Sequence, residues 1–159
     1  MATKPVVVGI DGSENSKDAL RWAVEFGRRY EAPVEAIAVW EMPATYGYVI
    51  IHGATGQELE EAARQMLADT VRDTVGDDAG VTQHVKRGNP SEVLIEASGS
   101  AQALVLGTRG HGAFARMVMG SVSQHCAANS KCPFTVVPPT KVKSKDKDKS
   151  KEKSKSKGK

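Results

Sequence analysis

Short, almost wholly apolar runs alternate along this chain with longer amphipathic stretches. Val6-Val7-Val8-Gly9-Ile10 is the first such run. It is too short for a helix and lacks the polar alternation of a half-exposed strand, as expected of a strand buried on both faces of a parallel sheet. Asp11-Gly12-Ser13 follows as a turn. Apolar positions then recur at helical spacing from about Glu14 to Tyr30, with Ala19, Ala23, Phe26 and Tyr30 on one stripe and Leu20 and Val24 beside it. Pro33 opens a second strand, Val34 to Trp40, and a loop rich in glycine and aromatics runs from Glu41 to Gly56.

Thr55 and Glu58 have capping-box spacing and predict a second helix, buried through Leu59, Ala62, Ala63, Met66, Leu67, Thr70 and Val71. A third strand fits Val81 to Arg87. Gly88-Asn89-Pro90 breaks the chain: Asn89 caps a third helix, Pro90 suits its first position, and Glu92 completes a box. Ala103 to Leu106 and Phe134 to Val137 read as the fourth and fifth strands, with a loop leading into a helix between them. Five strands with helices between them predict an α/β fold: a doubly wound, five-stranded parallel sheet sandwiched by helices, Rossmann-like in outline. Ligands of such sheets bind beyond the carboxyl ends of the strands, where the strand order reverses. Asp11-Gly12-Ser13 and the segment from Gly107 onward therefore matter most.

Charge changes the picture at one end only. Of 22 basic and 19 acidic residues, ten lysines and three acids fall in 141–159, a net of +7. The first 140 residues carry a net of −4 and the whole chain +3. The tail has no apolar residue after Val142. It cannot bury enough surface to offset the entropy of ordering, and disorder is expected there. Its charge suits weak, salt-sensitive contact with nucleic acid or another polyanion, or simple solvation. No apolar run is long enough to cross a membrane, and the start of the chain has no secretory pattern. Cys126 and Cys132 match no zinc or C-x-x-C spacing. These features are those of a cytoplasmic protein.

Two segments could carry chemistry. In Gly107-Thr108-Arg109-Gly110, nine residues, then Gly120-Ser121-Val122-Ser123, the first two glycines allow a sharp bend and close approach of a ligand. Gly120 and Ser121 sit where a helix begins, so free N–H groups, two hydroxyls and the positive end of the dipole could meet an anion. A flexible glycine loop with a serine cap explains the same residues. Asp11, at the end of a central strand, could accept hydrogen bonds from both ribose hydroxyls of a nucleotide, or serve as an Asp-Gly turn before a Ser13 cap. Arg109 could face phosphate or solvent, and His111 lies nearby. Trp40, Tyr46 and Tyr48 could shield a base or pack a loop. His52, His84 and His125 are scattered and suggest no metal site. There is no Gly-Lys-Ser/Thr phosphate loop, no G-x-G-x-x-G after the first strand, and no evident base to activate water.

Together these residues resemble the universal stress protein family. G-x-x-G, nine residues, G-S is similar to that family's ATP-binding signature. The opening Val7-Val8-Gly9-Ile10-Asp11-Gly12-Ser13, Gly88-Asn89-Pro90 and Cys132-Pro133-Phe134-Thr135-Val136-Val137 match as well, so the likeness spans about Pro5 to Pro138. It implies a domain over residues 1–140 that binds ATP or another adenine nucleotide, optionally with Mg. Asp11 would contact the ribose and Val39 the adenine. Gly107 and Gly110 would line ribose and phosphates, Gly120, Ser121 and Val122 would contact phosphates, and Ser123 would be a further phosphate ligand. It also implies a regulatory stress-response role and a homodimer through the last strand. Gln102 departs from the acidic residue of many relatives, at the strand end far from the site. A slow ATP hydrolase or phosphotransferase, and a polyanion-binding scaffold acting through the tail, are the competing functions.

Overall fold

The computed structural model describes residues 2–42, 55–111 and 119–140. The elements alternate as β1 (Val6–Gly9), α1 (Glu14–Arg29), β2 (Val34–Trp40), α2 (Gly56–Val75), β3 (Val81–Arg87), α3 (Pro90–Ser98), β4 (Ala103–Gly107), α4 (Ser121–Asn129) and β5 (Phe134–Val137), with a 3-10 turn at Asp77–Ala79. Every strand pair is parallel, and the order across the sheet is β3-β2-β1-β4-β5. The chain works outward from β1 to β3, then crosses back to β4 and on to β5. The order therefore reverses between β1 and β4, where Val6 pairs with Ala103 and Val8 with Val105. The loops leaving these two strands diverge and open a crevice.

The apolar runs are strands because both faces are covered. Val6, Val8, Ala36, Ala38 and Val105 pack under Ala19, Leu20, Ala23 and Val24 of α1 and Leu67 and Val71 of α2. Val7, Ile37, Leu104 and Leu106 pack on the other face with Leu94 of α3 and Cys126 of α4. Val6, Val7 and Val8 are at most 1% exposed.

Local chemistry fixes the helix starts. Ser13 Oγ accepts from the Ser16 N–H at 3.2 Å. Thr55 and Glu58 form the reciprocal box, at 3.2 and 2.6 Å. Asn89 Oδ1 accepts from the N–H groups of Ser91 and Glu92, with Pro90 opening α3. Glu92 does not return the bond among the described residues, so this cap is one-sided rather than a box.

Two expectations about burial fail. Tyr30 is 57% exposed, because α1 ends at Arg29 and Tyr30 only caps it, its ring against Phe26 at 4.4 Å. In α2, Leu67, Thr70 and Val71 are buried, but Leu59, Ala63 and Met66 are half-buried and Ala62 is exposed. A helix of 20 residues is about 30 Å long, whereas a seven-residue strand spans about 23 Å, so the first turns of α2 overhang the sheet.

Cys126 and Cys132 are both free thiols. Burial pushes the Cys126 thiol up to about 11 and keeps it protonated. No helix among the described residues is long and apolar enough to cross a membrane. The expectations for Tyr46, Tyr48, His52 and the lysine-rich tail lie outside the described residues.

Candidate functional site

A cavity of about 440 Å³ opens at the reversal between β1 and β4. One wall is apolar, made by Ile37 and Val39 of β2, Leu106 of β4, and Pro90 and Leu94 of α3. The rest is lined by Gly9 to Asp11 leaving β1, Ser16 of α1, Gly107 and Arg109 to His111 leaving β4, and Gly120 to Ser123 opening α4. Asp11, Val39, Gly107, Gly110, Gly120, Ser121, Val122 and Ser123, expected from sequence to share a site, all line this one cavity.

Gly120 is the N-cap of α4, and it brings no side chain to satisfy the helix's first N–H groups. The first internal bond of the helix runs from the Gln124 N–H to the Gly120 carbonyl at 3.0 Å. No described residue accepts from the N–H of Ser121, Val122 or Ser123. Among the described residues, three donors and the positive end of the helix dipole are therefore left at the cavity, an arrangement suited to an anion. The Ser123 side chain is a different matter. Its hydroxyl donates to the Gly107 carbonyl at 2.8 Å, and a hydroxyl has one proton to give. Ser123 can serve a phosphate through its backbone only; its side chain ties α4 to the end of β4.

The glycines of the loop answer to two neighbours, the buried Asn15 and the Asp11 carboxylate. A side chain at Gly107 would place its Cβ 2.7 Å from Asn15 Cγ and 2.8 Å from Asn15 Oδ1, and one at Gly110 would strike the Asp11 carboxylate. Gly120 is unlike them: among the described residues a Cβ there meets nothing closer than the Thr108 carbonyl at 3.6 Å. None of the described residues requires glycine at 120, whereas a ligand drawing close to the helix start would.

Asp11 is already engaged. Its Oδ1 accepts from the Ser13 N–H at 3.0 Å and the Ser13 hydroxyl at 2.6 Å, and its Oδ2 accepts from the His111 N–H at 3.0 Å. Loss of solvent around the carboxylate works to raise its pKa. The Ser13 hydroxyl and N–H, the His111 N–H and the Ser16 hydroxyl outweigh that and hold it below its ordinary value. A carboxylate offers about four lone-pair directions. Three of these are filled among the described residues, which leaves Asp11 an acceptor direction for a ribose hydroxyl.

Arg109 and His111 both line the cavity, and Arg109 is half-buried. Trp40 is not among the lining residues. Its ring lies beneath the Arg87 guanidinium at 5.6 Å, away from the apolar wall that Ile37 and Val39 present. Gln102 donates its N–H to the Pro5 carbonyl just before β4, at the opposite end of the sheet from the cavity.

Sequence reading passed over Asn15. This side chain, 7% exposed, accepts from the Thr108 hydroxyl at 3.0 Å and the Arg109 N–H at 2.9 Å, and donates to the Val137 carbonyl at 2.9 Å. An asparagine in the first turn of a helix carries no local sign of partners 93 and 122 residues away.

Residues 2–138 match the model of the universal stress protein family. The chain belongs to the universal stress protein family. A universal stress protein of Mycolicibacterium smegmatis is 34% identical over 137 residues, which cover 85% of this chain and 46% of that protein. This chain thus spans about half the length of the mycobacterial universal stress proteins it matches. Among solved structures, a universal stress protein in complex with cAMP is 21% identical, covers 88% of this chain and 100% of its own, and superposes with a TM-score of 0.65. One from Archaeoglobus fulgidus in complex with dAMP is 22% identical, covers 86% and 98%, and gives 0.61. At these identities the structures speak to the shared fold: a five-stranded parallel sheet with helices on both faces.

Proposed function

We propose that this chain is a regulatory module that binds ATP or a related adenine nucleotide in the cavity between β1 and β4. The observation that carries the proposal is the division of that cavity. Ile37, Val39, Pro90 and Leu94 offer an apolar slot for a planar base, and three N–H groups of α4 that have no acceptor among the described residues open on the same cavity, which Arg109 also lines. Asp11 stands between them with one acceptor direction free. An adenine nucleotide has the matching sequence of parts: an apolar base, a hydroxylated sugar and an anion. Complexes of cAMP and dAMP with proteins of this fold support the same reading. Asp11 is the one carboxylate among the lining residues, so Mg would arrive on the phosphates of ATP rather than wait in a protein site.

Residues 1–140 form the binding domain in this proposal, and 141–159 a basic extension that contacts polyanions weakly. β5 ends the sheet among the described residues, and its edge is where a second copy adds in this proposal. Mass spectrometry of the small molecule that copurifies under non-denaturing conditions tests the ligand class. An adenine nucleotide is expected, and truncation after Thr140 should leave its affinity unchanged. A ligand without an adenine ring would overturn the reading.

A further inference from the structure

The Gly107–Gly110 turn is held from several directions at once. Gly107 gives its carbonyl to Ser123 Oγ, and the Thr108 carbonyl accepts from the Gly120 N–H at 2.7 Å. The Thr108 N–H donates to the Val137 carbonyl at 3.1 Å. Its hydroxyl and the Arg109 N–H both end on Asn15 Oδ1. Asn15 is the hub: one amide accepts twice from the turn and donates once to the last residue of β5. Its two ends are not interchangeable. The Arg109 N–H needs an acceptor, and the Val137 carbonyl takes its second donor, beside the Thr108 N–H, from Asn15, so a carboxylate of the same shape would face that carbonyl with no proton to offer. Asn15 itself is not among the lining residues of the cavity.

The same helix takes hold of the chain again three residues beyond Val137. Asp18 accepts from the Thr140 N–H and the Thr140 hydroxyl, each at 2.9 Å, and also from Arg21 at 2.8 Å. The opening of α1 thus bridges the cavity's turn to the Val137–Thr140 segment through Asn15 and Asp18. Pro138 and Pro139 lie between these two anchor points, and proline's fixed φ leaves little slack there to absorb a displacement.

We infer that Asn15 is a positioning residue that holds the Gly107–Gly110 turn in its ligand-receiving shape and couples occupancy of the cavity to the Val137–Thr140 segment at the sheet edge. A ligand anion that draws on the Arg109–His111 backbone tightens the turn against Asn15. The amide, together with the Thr108 N–H, passes that constraint to the Val137 carbonyl and so to Thr140. The coupling is reciprocal, so whatever fixes the end of β5 also favours the occupied turn. This inference rests on the adenine-nucleotide reading of the cavity.

The test is an amide NMR titration of the full chain with AMP, reading Arg109 and Thr140, alongside calorimetric affinities. In wild type both resonances move in step to saturation. Asn15→Ala weakens AMP about ten- to a hundredfold, the loss expected for removing the turn's hydrogen bonds. At saturating AMP it still moves Arg109 but moves Thr140 less than half as far, because the Thr108 N–H is then the turn's remaining bond to the Val137 carbonyl. A merely structural role would leave the Thr140 response in place once ligand is saturating. Asp18→Ala is the second variant: it frees Thr140 without touching the turn, so the Thr140 response is lost and, by the same reciprocity, AMP binds about fivefold more weakly. If wild type binds AMP and moves Arg109 but leaves Thr140 still, the coupling is refuted while the nucleotide reading stands. The same holds if Asn15→Ala binds and responds like wild type. If wild type binds no AMP at millimolar concentration, both fall.

Discussion

Replacing Gly120 with valine separates what the fold needs from what the ligand needs. Gly120 has φ −70° and ψ 163°, open to any L-residue. An added Cβ sits 3.6 Å from the Thr108 carbonyl, 3.7 Å from Arg109 Cα and 3.9 Å from the Gly110 nitrogen, all ordinary contacts. The folding cost is then confined to losing a glycine N-cap for a poorly capping residue, about 0.5–1 kcal/mol. That corresponds to a fall in melting temperature of about a few degrees for a domain of this size. The branched methyls, however, stand over the N–H groups of Ser121, Val122 and Ser123. Losing one hydrogen bond to a charged group costs about 1.5–3 kcal/mol, so ATP affinity should drop about ten- to a hundredfold. AMP should lose less than ATP, and adenosine, which brings no phosphate, should lose least. Calorimetric titration with the three ligands and thermal melts without ligand measure both sides. Equal losses for adenosine and ATP would refute the phosphate assignment. A drop of more than about ten degrees in the unliganded melt would refute the claim that the fold tolerates a side chain there.

Gly107→Ala and Gly110→Ala should behave in the opposite way. Each drives a methyl into Asn15 or Asp11, and overpacking of this kind costs about 1–3 kcal/mol of unliganded stability by chemical denaturation. With one acceptor direction free on Asp11, AMP and 2′-deoxy-AMP should bind within about threefold of each other, whereas Asp11→Ala should weaken AMP about ten- to a hundredfold. Because the folded state holds the Asp11 carboxyl below its ordinary value, its stabilising contribution is complete above about pH 4 and is lost as pH falls through the lowered value. Acid melts of wild type and Asp11→Asn should therefore converge only below about pH 4. If β5 pairs with a second copy, Val136→Lys should shift sedimentation from dimer toward monomer at micromolar concentration; an unchanged dimer would place the interface elsewhere.

Much of this fold is legible because local chemistry marks it. Ser13, Thr55 and Asn89 announce their helices within four residues of sequence, and the triple valine of β1 announces a strand with two covered faces. The cavity's lining could be read as well, since Asp11, Gly107 and Gly120 sit at element ends that a doubly wound topology must bring together. What escaped depends on partners far along the chain. The commitment of the Ser123 hydroxyl to Gly107 turns an expected phosphate ligand into a latch. The three bonds of Asn15 join α1 to a turn and an edge strand distant in sequence. The bonds that Ser13 and His111 give Asp11 fill three of its about four acceptor directions. Tyr30 fits the helical stripe by periodicity, but the helix stops one residue before it.

The most direct test of the central claim is an amide NMR titration of the wild-type chain with ATP. Saturable shifts confined to Asp11, Val39, Arg109 to His111 and Ser121 to Ser123 are the predicted result, tracing base slot, sugar acceptor and anion donors in one site. Absence of any shift at millimolar ATP, or shifts centred on α2 and β3 instead, would contradict it.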